Sequence, residues 1–190
     1  MADLTENLLK YAELAVKVGV NIQKGQALVI NTALEGAELV RLIAKKAYEA
    51  GAKEVVVNWT DDALSRLKYE YADASVFQEF PRHYAEARIE QAENGAAFLS
   101  VVSSSPDLLK GVNPEKIANF QKAQGKALAK FREYIQSDKV SWSIIAVPSK
   151  AWADMVFPEA PVEDRVNLLW DAIFKATRVD TEDPVLAWKQ

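Results

Sequence analysis

Four short apolar runs alternate with helical segments along this chain, and this alternation constrains the fold most strongly. The runs lie at residues 26–30, 54–58, 97–102 and 140–147. Apolar residues at helical spacing predict helices at 3–18, 35–50, 61–71, 81–93, 114–135 and 161–176. Apolar strands that alternate with helices are typical of a parallel sheet covered on both faces. We therefore predict an α/β fold, a Rossmann-like three-layer domain with a mostly parallel sheet of about four strands.

The last residues of the chain predict the start of another helix. Asp183 is a favourable N-cap residue, and Pro184 suits the first helical position. The chain stops at Gln190, and so short a helix is marginal on its own. Either this segment docks on the domain, or the sequence is cut inside a connecting helix. We favour the second interpretation, with residues 1–178 as the domain and 179–190 as the start of the connection.

Composition limits the chemistry that the chain can perform. It has no cysteine and a single histidine, His83, so Cys-type zinc sites and thiolate nucleophiles are excluded. His83 could be a general base or an ordinary residue of a first helical turn, and we favour the second interpretation. The net charge of −4 argues against nucleic acid as the main partner. No signal peptide or membrane-spanning apolar run is visible, so we expect a cytoplasmic location and no membrane partner.

The turn after the second apolar run contains the best functional candidates. Asp61 and Asp62 follow that run directly, and Arg66 lies one helical turn further on. Ligands of open α/β sheets bind beyond the carboxyl ends of the strands, so these residues could contact a substrate amine or a neighbouring domain. The two carboxylates could also hold a magnesium ion. The simpler alternative, which we favour, is that one residue caps the helix and the acids stabilise its positive end.

Several stretches together resemble one known family. They lie at residues 6–12, 20–25, 49–57, 59–62, 107–116, 139–142, 152–158 and 169–189. In order and spacing they resemble the N-terminal portion of the aminopeptidase T / aminopeptidase S / PepS family of metallo-aminopeptidases. The resemblance covers the whole chain but under half of a typical family member.

This resemblance implies a role inside a larger enzyme. Family members hydrolyse N-terminal peptide bonds with two divalent metal ions, such as zinc, cobalt, manganese or magnesium. The metal ligands belong to a second domain, so no catalytic or metal-binding residue is expected in this chain. Family members are homodimers whose N-terminal domain encloses the active-site cavity and restricts access by the peptide substrate.

By this resemblance, we expect the chain to be non-catalytic and inactive alone, and to pack against its own C-terminal catalytic domain. Asp61, Asp62 and Arg66 are its possible cavity-lining residues. The alternative is a free-standing α/β module that binds a small ligand at the turn of residues 58–66.

Overall fold

The computed structural model describes residues 4–103, 105 and 107–189, so residue 3 of the first predicted helix and Gln190 lie outside the described residues. The strands are β1 (Ala27–Ala33), β2 (Glu54–Thr60), β3 (Ala97–Val102) and β4 (Trp142–Ala146). The helices are α1 (Leu4–Leu14), α2 (Ala37–Glu49), α3 (Asp62–Tyr71), α4 (Arg82–Glu93), α5 (Pro114–Ala127), α6 (Ala129–Gln136), α7 (Lys150–Val156), α8 (Arg165–Ala176) and α9 (Pro184–Ala187).

Within the described residues, the strands form one parallel sheet in the order β2-β1-β3-β4. The predicted α/β class and the number of strands are therefore confirmed. After β1 the chain forms β2 along one edge of β1, and it then crosses over to form β3 along the other edge of β1. The carboxyl ends of β1 and β3 thus form a topological switch point, where open α/β sheets commonly bind ligands.

Two apolar cores of unequal size cover the two faces of the sheet. The larger core joins alternate strand residues, such as Leu28, Ile30 and Leu99, to α1, α2, α7 and α8. The smaller core lies on the opposite face, where Val29 and Phe98 pack against α4 and α6. Side chains of a strand alternate between faces, so each central strand must be apolar along most of its length. This requirement explains the uninterrupted apolar runs of the sequence.

The predicted helix of residues 114–135 is wrong in one respect, because the structure divides it into α5 and α6. Leu128 separates the two helices with φ −97° and ψ 13°, and its side chain is buried. Gly125 lies in the last turn of α5, where it lowers helix propensity. Helix α7 was not predicted from the sequence, because its seven residues are too few to show a helical period. Ser149 caps this helix by accepting a hydrogen bond from the Trp152 N–H.

The described part of the C-terminal segment docks on the domain. Asp183 caps α9 as predicted, accepting a hydrogen bond of 3.0 Å from the Leu186 N–H. The Trp188 indole N–H donates to the Thr177 carbonyl at 2.7 Å, and the Lys10 ammonium donates to a carbonyl just before α9. These contacts fix the segment against α1 and the end of α8. Its role as a connection to a further domain stays a prediction.

Candidate functional site

The two carboxylates that follow β2 fix the start of α3. Asp61 has an extended backbone, and its side chain accepts a hydrogen bond of 3.0 Å from the Leu64 N–H, which makes it the N-cap. The Asp62 carboxylate accepts a hydrogen bond of 3.1 Å from the Ser105 N–H, in the loop after β3. Both residues remain partly exposed at the carboxyl edge of the sheet. They are therefore accessible, although each already has a structural contact.

Arg66 fastens α3 to the same loop. Its guanidinium donates to the Leu108 carbonyl at 3.0 Å and to the Lys110 carbonyl at 2.7 Å. It also forms an ion pair with Glu70, one turn along the helix. The structure thus gathers Asp61, Asp62 and Arg66 at one edge of the sheet, where they order the connection between β2, α3 and the loop after β3.

The described residues do not provide the ligand set of a metal centre. His83 is exposed in the first turn of α4, where its ring lies 4.3 Å from the Tyr84 ring, measured between centroids. Residues 4–103, 105 and 107–189 contain no group of three or more His, Cys, Asp or Glu side chains placed to hold a metal ion. Asp61 and Asp62 supply two such side chains at most. A dimetal site therefore does not fit these residues.

A polar cleft lies on the face of the smaller core, between the end of β2 and helices α4 and α5. Its volume is about 270 Å³. It is lined by Asn58, Trp59, Thr60, Phe80, Tyr84, Ala87, Arg88, Gln91 and Gln124. The turn of residues 58–66 is the ligand site of the alternative hypothesis, and its first three residues line this cleft. The contribution of α4 and α5 was not predicted from the sequence.

Arg88 is the charged group of the cleft. Its guanidinium donates to the Asn31 side-chain oxygen at 2.9 Å, and the same oxygen accepts from the Asn58 side chain at 3.1 Å. The guanidinium carbon lies 5.9 Å from the centroid of the Phe131 ring. Burial lowers the pKa of the Arg88 guanidinium from its ordinary value. The two asparagines lie on one face near the carboxyl ends of β1 and β2, so strand register places this polar group beside the switch point.

Helix α3 carries an exposed apolar stripe. Leu64, Leu67 and Tyr71 recur at helical spacing, and they are 66%, 48% and 80% exposed. No residue of α3 is buried. An aligned row of exposed apolar side chains is typical of an interaction surface. Among all the helices of the described ranges, α3 included, none has the length and apolar character that crossing a membrane would require.

The fold and its sequence define a metalloprotease-family domain. The sequence matches the thermophilic metalloprotease (M29) family over residues 4–190, and the chain belongs to this family. The resemblance seen in the sequence is therefore confirmed.

Individual relatives are aminopeptidases. Over 188 residues the chain is 55% identical to aminopeptidase AmpS of Bacillus subtilis, covering 99% of this chain and 46% of that protein. It is 39% identical over 189 residues to aminopeptidase T of Thermus aquaticus, again covering 46% of that protein. The solved structure of wild-type AmpT from Thermus thermophilus superimposes with a TM-score of 0.89 at 36% identity, over 98% of this chain and 46% of that one. The chain thus spans about half the length of the relatives it matches.

Proposed function

We propose that this chain is the amino-terminal, non-catalytic part of a cytoplasmic, metal-dependent aminopeptidase that removes N-terminal residues from peptides. The observation that carries the proposal is its alignment along nearly its whole length with proteins named aminopeptidases. The remainder of the protein would supply the ligands for divalent metal ions, such as zinc, cobalt, manganese or magnesium. The lack of a fitting ligand group in the described residues supports this division of roles.

In this proposal, the carboxyl edge of the sheet encloses the active-site cavity and restricts access to it. Asp61, Asp62 and Arg66 lie there, partly exposed, on a framework of backbone hydrogen bonds. Charged groups held in this way could orient the amino terminus or a carbonyl of a peptide without taking part in the chemical step. The carboxyl edge of a parallel sheet is also the usual place for a ligand.

The exposed apolar stripe of α3 is a second surface that the rest of the protein could contact. Leu64, Leu67 and Tyr71 lie next to the proposed cavity wall, on the helix that Asp61 caps. We propose that the C-terminal catalytic domain covers this stripe, and that the complete protein is a homodimer. Covering three large apolar side chains would contribute about 1.5–3 kcal/mol for each one fully buried.

The test compares this chain with a version extended to the full length of its relatives. Both are purified and assayed for release of N-terminal residues from a peptide, with zinc, cobalt, manganese or magnesium added. We expect release by the extended protein alone, and its loss when a chelator is present. Metal-dependent release by the 190-residue chain itself would refute the non-catalytic role. An extended protein without activity at any metal would refute the aminopeptidase proposal.

A second variant tests the cavity wall. Asp61→Asn keeps an N-cap side chain, because Asn also accepts the capping hydrogen bond, but removes the charge. If Asp61 faces the substrate, the extended variant should show a raised KM for peptides and an unchanged melting temperature. Asp180→Asn, at an exposed residue before α9, is the matched control. Equal KM values in all three proteins would remove Asp61 from the wall.

One observation favours the alternative of a ligand-binding module. The polar cleft includes Asn58, Trp59 and Thr60, the first residues of the turn at which the sequence analysis placed a small ligand. A free-standing module would bind its ligand but would gain no peptidase activity on extension. The extended protein therefore separates the two candidate functions.

A further inference from the structure

The polar cleft presents one side of α4 towards the end of β2. Tyr84, Arg88 and Gln91 recur at spacings of four and three residues, so they share one face of the helix. Gln124 of α5 completes the lining from the neighbouring helix. The adjoining side of α4, about a quarter turn around the helix, buries Ala85 and Ala92. The helix thus has a small apolar side for packing and a side of long polar residues that faces the cleft.

Arg88 lacks an anionic partner within the described part of the chain. Within the described residues its guanidinium donates one hydrogen bond to Asn31 and lies near the face of the Phe131 ring, and both of these partners are neutral. A guanidinium has five N–H donors in a planar fork that matches a carboxylate. A partly buried cation without a counter-ion loses solvation without gaining an ion pair. An anion that enters the cleft would supply the missing pair.

Gln91 adds a second unused group, one turn along the helix. Its side-chain oxygen is buried and accepts no hydrogen bond from the described residues. A buried acceptor without a partner is costly, and a ligand N–H group would satisfy it. Residues three apart on a helix lie about 5–6 Å apart at their Cβ atoms. The cleft therefore offers a cation and an acceptor without a described partner on one face of the same helix, one turn apart.

Aromatic side chains form another part of the wall of the cleft. Tyr84 lies one turn before Arg88, and Phe80 packs against Phe120 of α5 at 6.1 Å between ring centroids. An apolar side chain of a ligand could pack there. The volume of about 270 Å³ is close to the lower end of small-molecule sites, about 300–1,000 Å³. A ligand of one or two residues matches this size.

We propose that the cleft binds the carboxylate-bearing unit of an amino acid. The carboxylate pairs with Arg88, an N–H group donates to Gln91, and an apolar side chain packs on Phe80 and Tyr84. This chemistry comes from two sources, a free amino acid or the C-terminal residue of a short peptide. The proposal stands on the cleft alone and does not require the aminopeptidase function. The net charge of −4 would oppose non-specific capture of an anion, so binding has to come from the local site.

The test is calorimetric titration of the 190-residue chain with four probes. L-Phenylalanine represents a free amino acid, glycyl-L-phenylalanine represents a peptide terminus, and the C-terminal amide of each lacks the carboxylate. We expect at least one carboxylate probe to bind about tenfold or more tightly than its amide. Binding of the dipeptide alone identifies a peptide terminus as the source, and binding of the free amino acid alone identifies the other. Equal binding of acids and amides, or no binding of either acid, overturns the proposal.

Three variants locate the site. Arg88→Met keeps an unbranched side chain without the charge, and it should weaken carboxylate binding by about tenfold or more. Arg82→Met is the matched control, because Arg82 lies on the same helix but is fully solvated and paired with Glu86. It should bind as the parent does.

Gln91→Glu is a second variant that tests the site even if Arg88→Met fails to fold. The new carboxylate lies three residues from Arg88 on the same helix face, so it can form an ion pair with the guanidinium. The melting temperature should therefore be equal or higher. The probes should then bind about tenfold more weakly or not at all. Unchanged binding in folded Gln91→Glu, or equal losses in the Arg82 and Arg88 variants, would contradict the assignment.

Discussion

Replacing Tyr11 with phenylalanine should remove a specific link between α1 and the edge of the sheet. The Tyr11 side chain is buried, with 1% of its surface exposed. Its hydroxyl donates to the Ala146 carbonyl at 3.2 Å and accepts from the Ala146 N–H at 3.1 Å. Strand β4 is bonded on its other side to β3. One hydroxyl therefore satisfies both backbone groups that Ala146 directs away from the sheet.

The magnitude follows from the two backbone groups that lose their partner. A buried N–H or C=O without a partner costs about 1–3 kcal/mol. Ala146 is only partly buried, so water can replace some of each bond. We expect Tyr11→Phe to lower the free energy of unfolding by about 2 kcal/mol. For a domain of this size, that corresponds to a fall in melting temperature of about 4–8 °C.

The same hydroxyl gives the prediction a pH dependence. Burial raises the pKa of Tyr11 from 10.0 to about 12. The folded state thus prefers the neutral phenol. Its contribution to stability is complete below the unfolded pKa and is lost as pH rises through the folded pKa. At pH 11 the parent should have lost roughly 1.4 kcal/mol of this contribution, which the phenylalanine variant never had.

The assay is urea unfolding followed by circular dichroism, at pH 8 and at pH 11. The difference between parent and Tyr11→Phe should fall from about 2 kcal/mol to below about 1 kcal/mol. Tyr71→Phe is the control, because Tyr71 is 80% exposed, and it should match the parent at pH 8. An unchanged urea midpoint in Tyr11→Phe at pH 8, or a difference that does not shrink at pH 11, would refute the reasoning.

Three further substitutions test the framework of the fold. Arg66→Met removes donors to two loop carbonyls, so it should lower the free energy of unfolding by about 1–2 kcal/mol and speed hydrogen exchange at residues 107–112. The control Arg82→Met, at an exposed residue, should lower that free energy by under about 0.5 kcal/mol. Unchanged exchange in that loop would contradict this. Gly36→Ala places a Cβ 2.3 Å from the Thr32 hydroxyl and should destabilise by about 1–3 kcal/mol in urea unfolding, part of which Thr32→Ala should restore. Gly125→Ala has its nearest neighbour at 3.6 Å and should stabilise α5 by about 0.5–1 kcal/mol, so a lower urea midpoint would count against it.

The central strands could be predicted from sequence because burial on both faces leaves a continuous apolar run. The edge strands β2 and β4 contain no buried residue, but each still carries a short apolar run. The predicted strand at residues 97–102 matches β3, which is central and covered on both sides. The predicted strand at 140–147 exceeds β4 at both ends, because an edge strand has a partner on one side and pairing stops earlier. Short helices such as α7 gave no signal, because seven residues contain too few repeats of the helical period.

The turn at Asp61, Asp62 and Arg66 was visible in the sequence because charged residues follow an apolar run directly. Its actual contacts were not predictable, because they involve the loop after β3, about 40 residues away along the chain. The same limitation hid the polar cleft. Arg88 and Gln91 share a helix face, but the sequence gives no rotation of α4 about its axis relative to the sheet.

One available signal would have indicated the cleft. In β1, Asn31 has the same parity as Val29, and in β2, Asn58 has the same parity as Val56, so both amides interrupt apolar faces near a carboxyl end. The strands run parallel and pair Asn31 with Asn58, which places both amides on one face of the sheet. Partly buried amides are usually hydrogen-bonded, so such a pair predicts a polar group on the covering helix. Arg88 is that group. Its positive charge in turn favours an anionic ligand in the cleft. The two strand amides therefore predict the position of Arg88, and Arg88, which has no anionic partner among the described residues, carries the proposed carboxylate site.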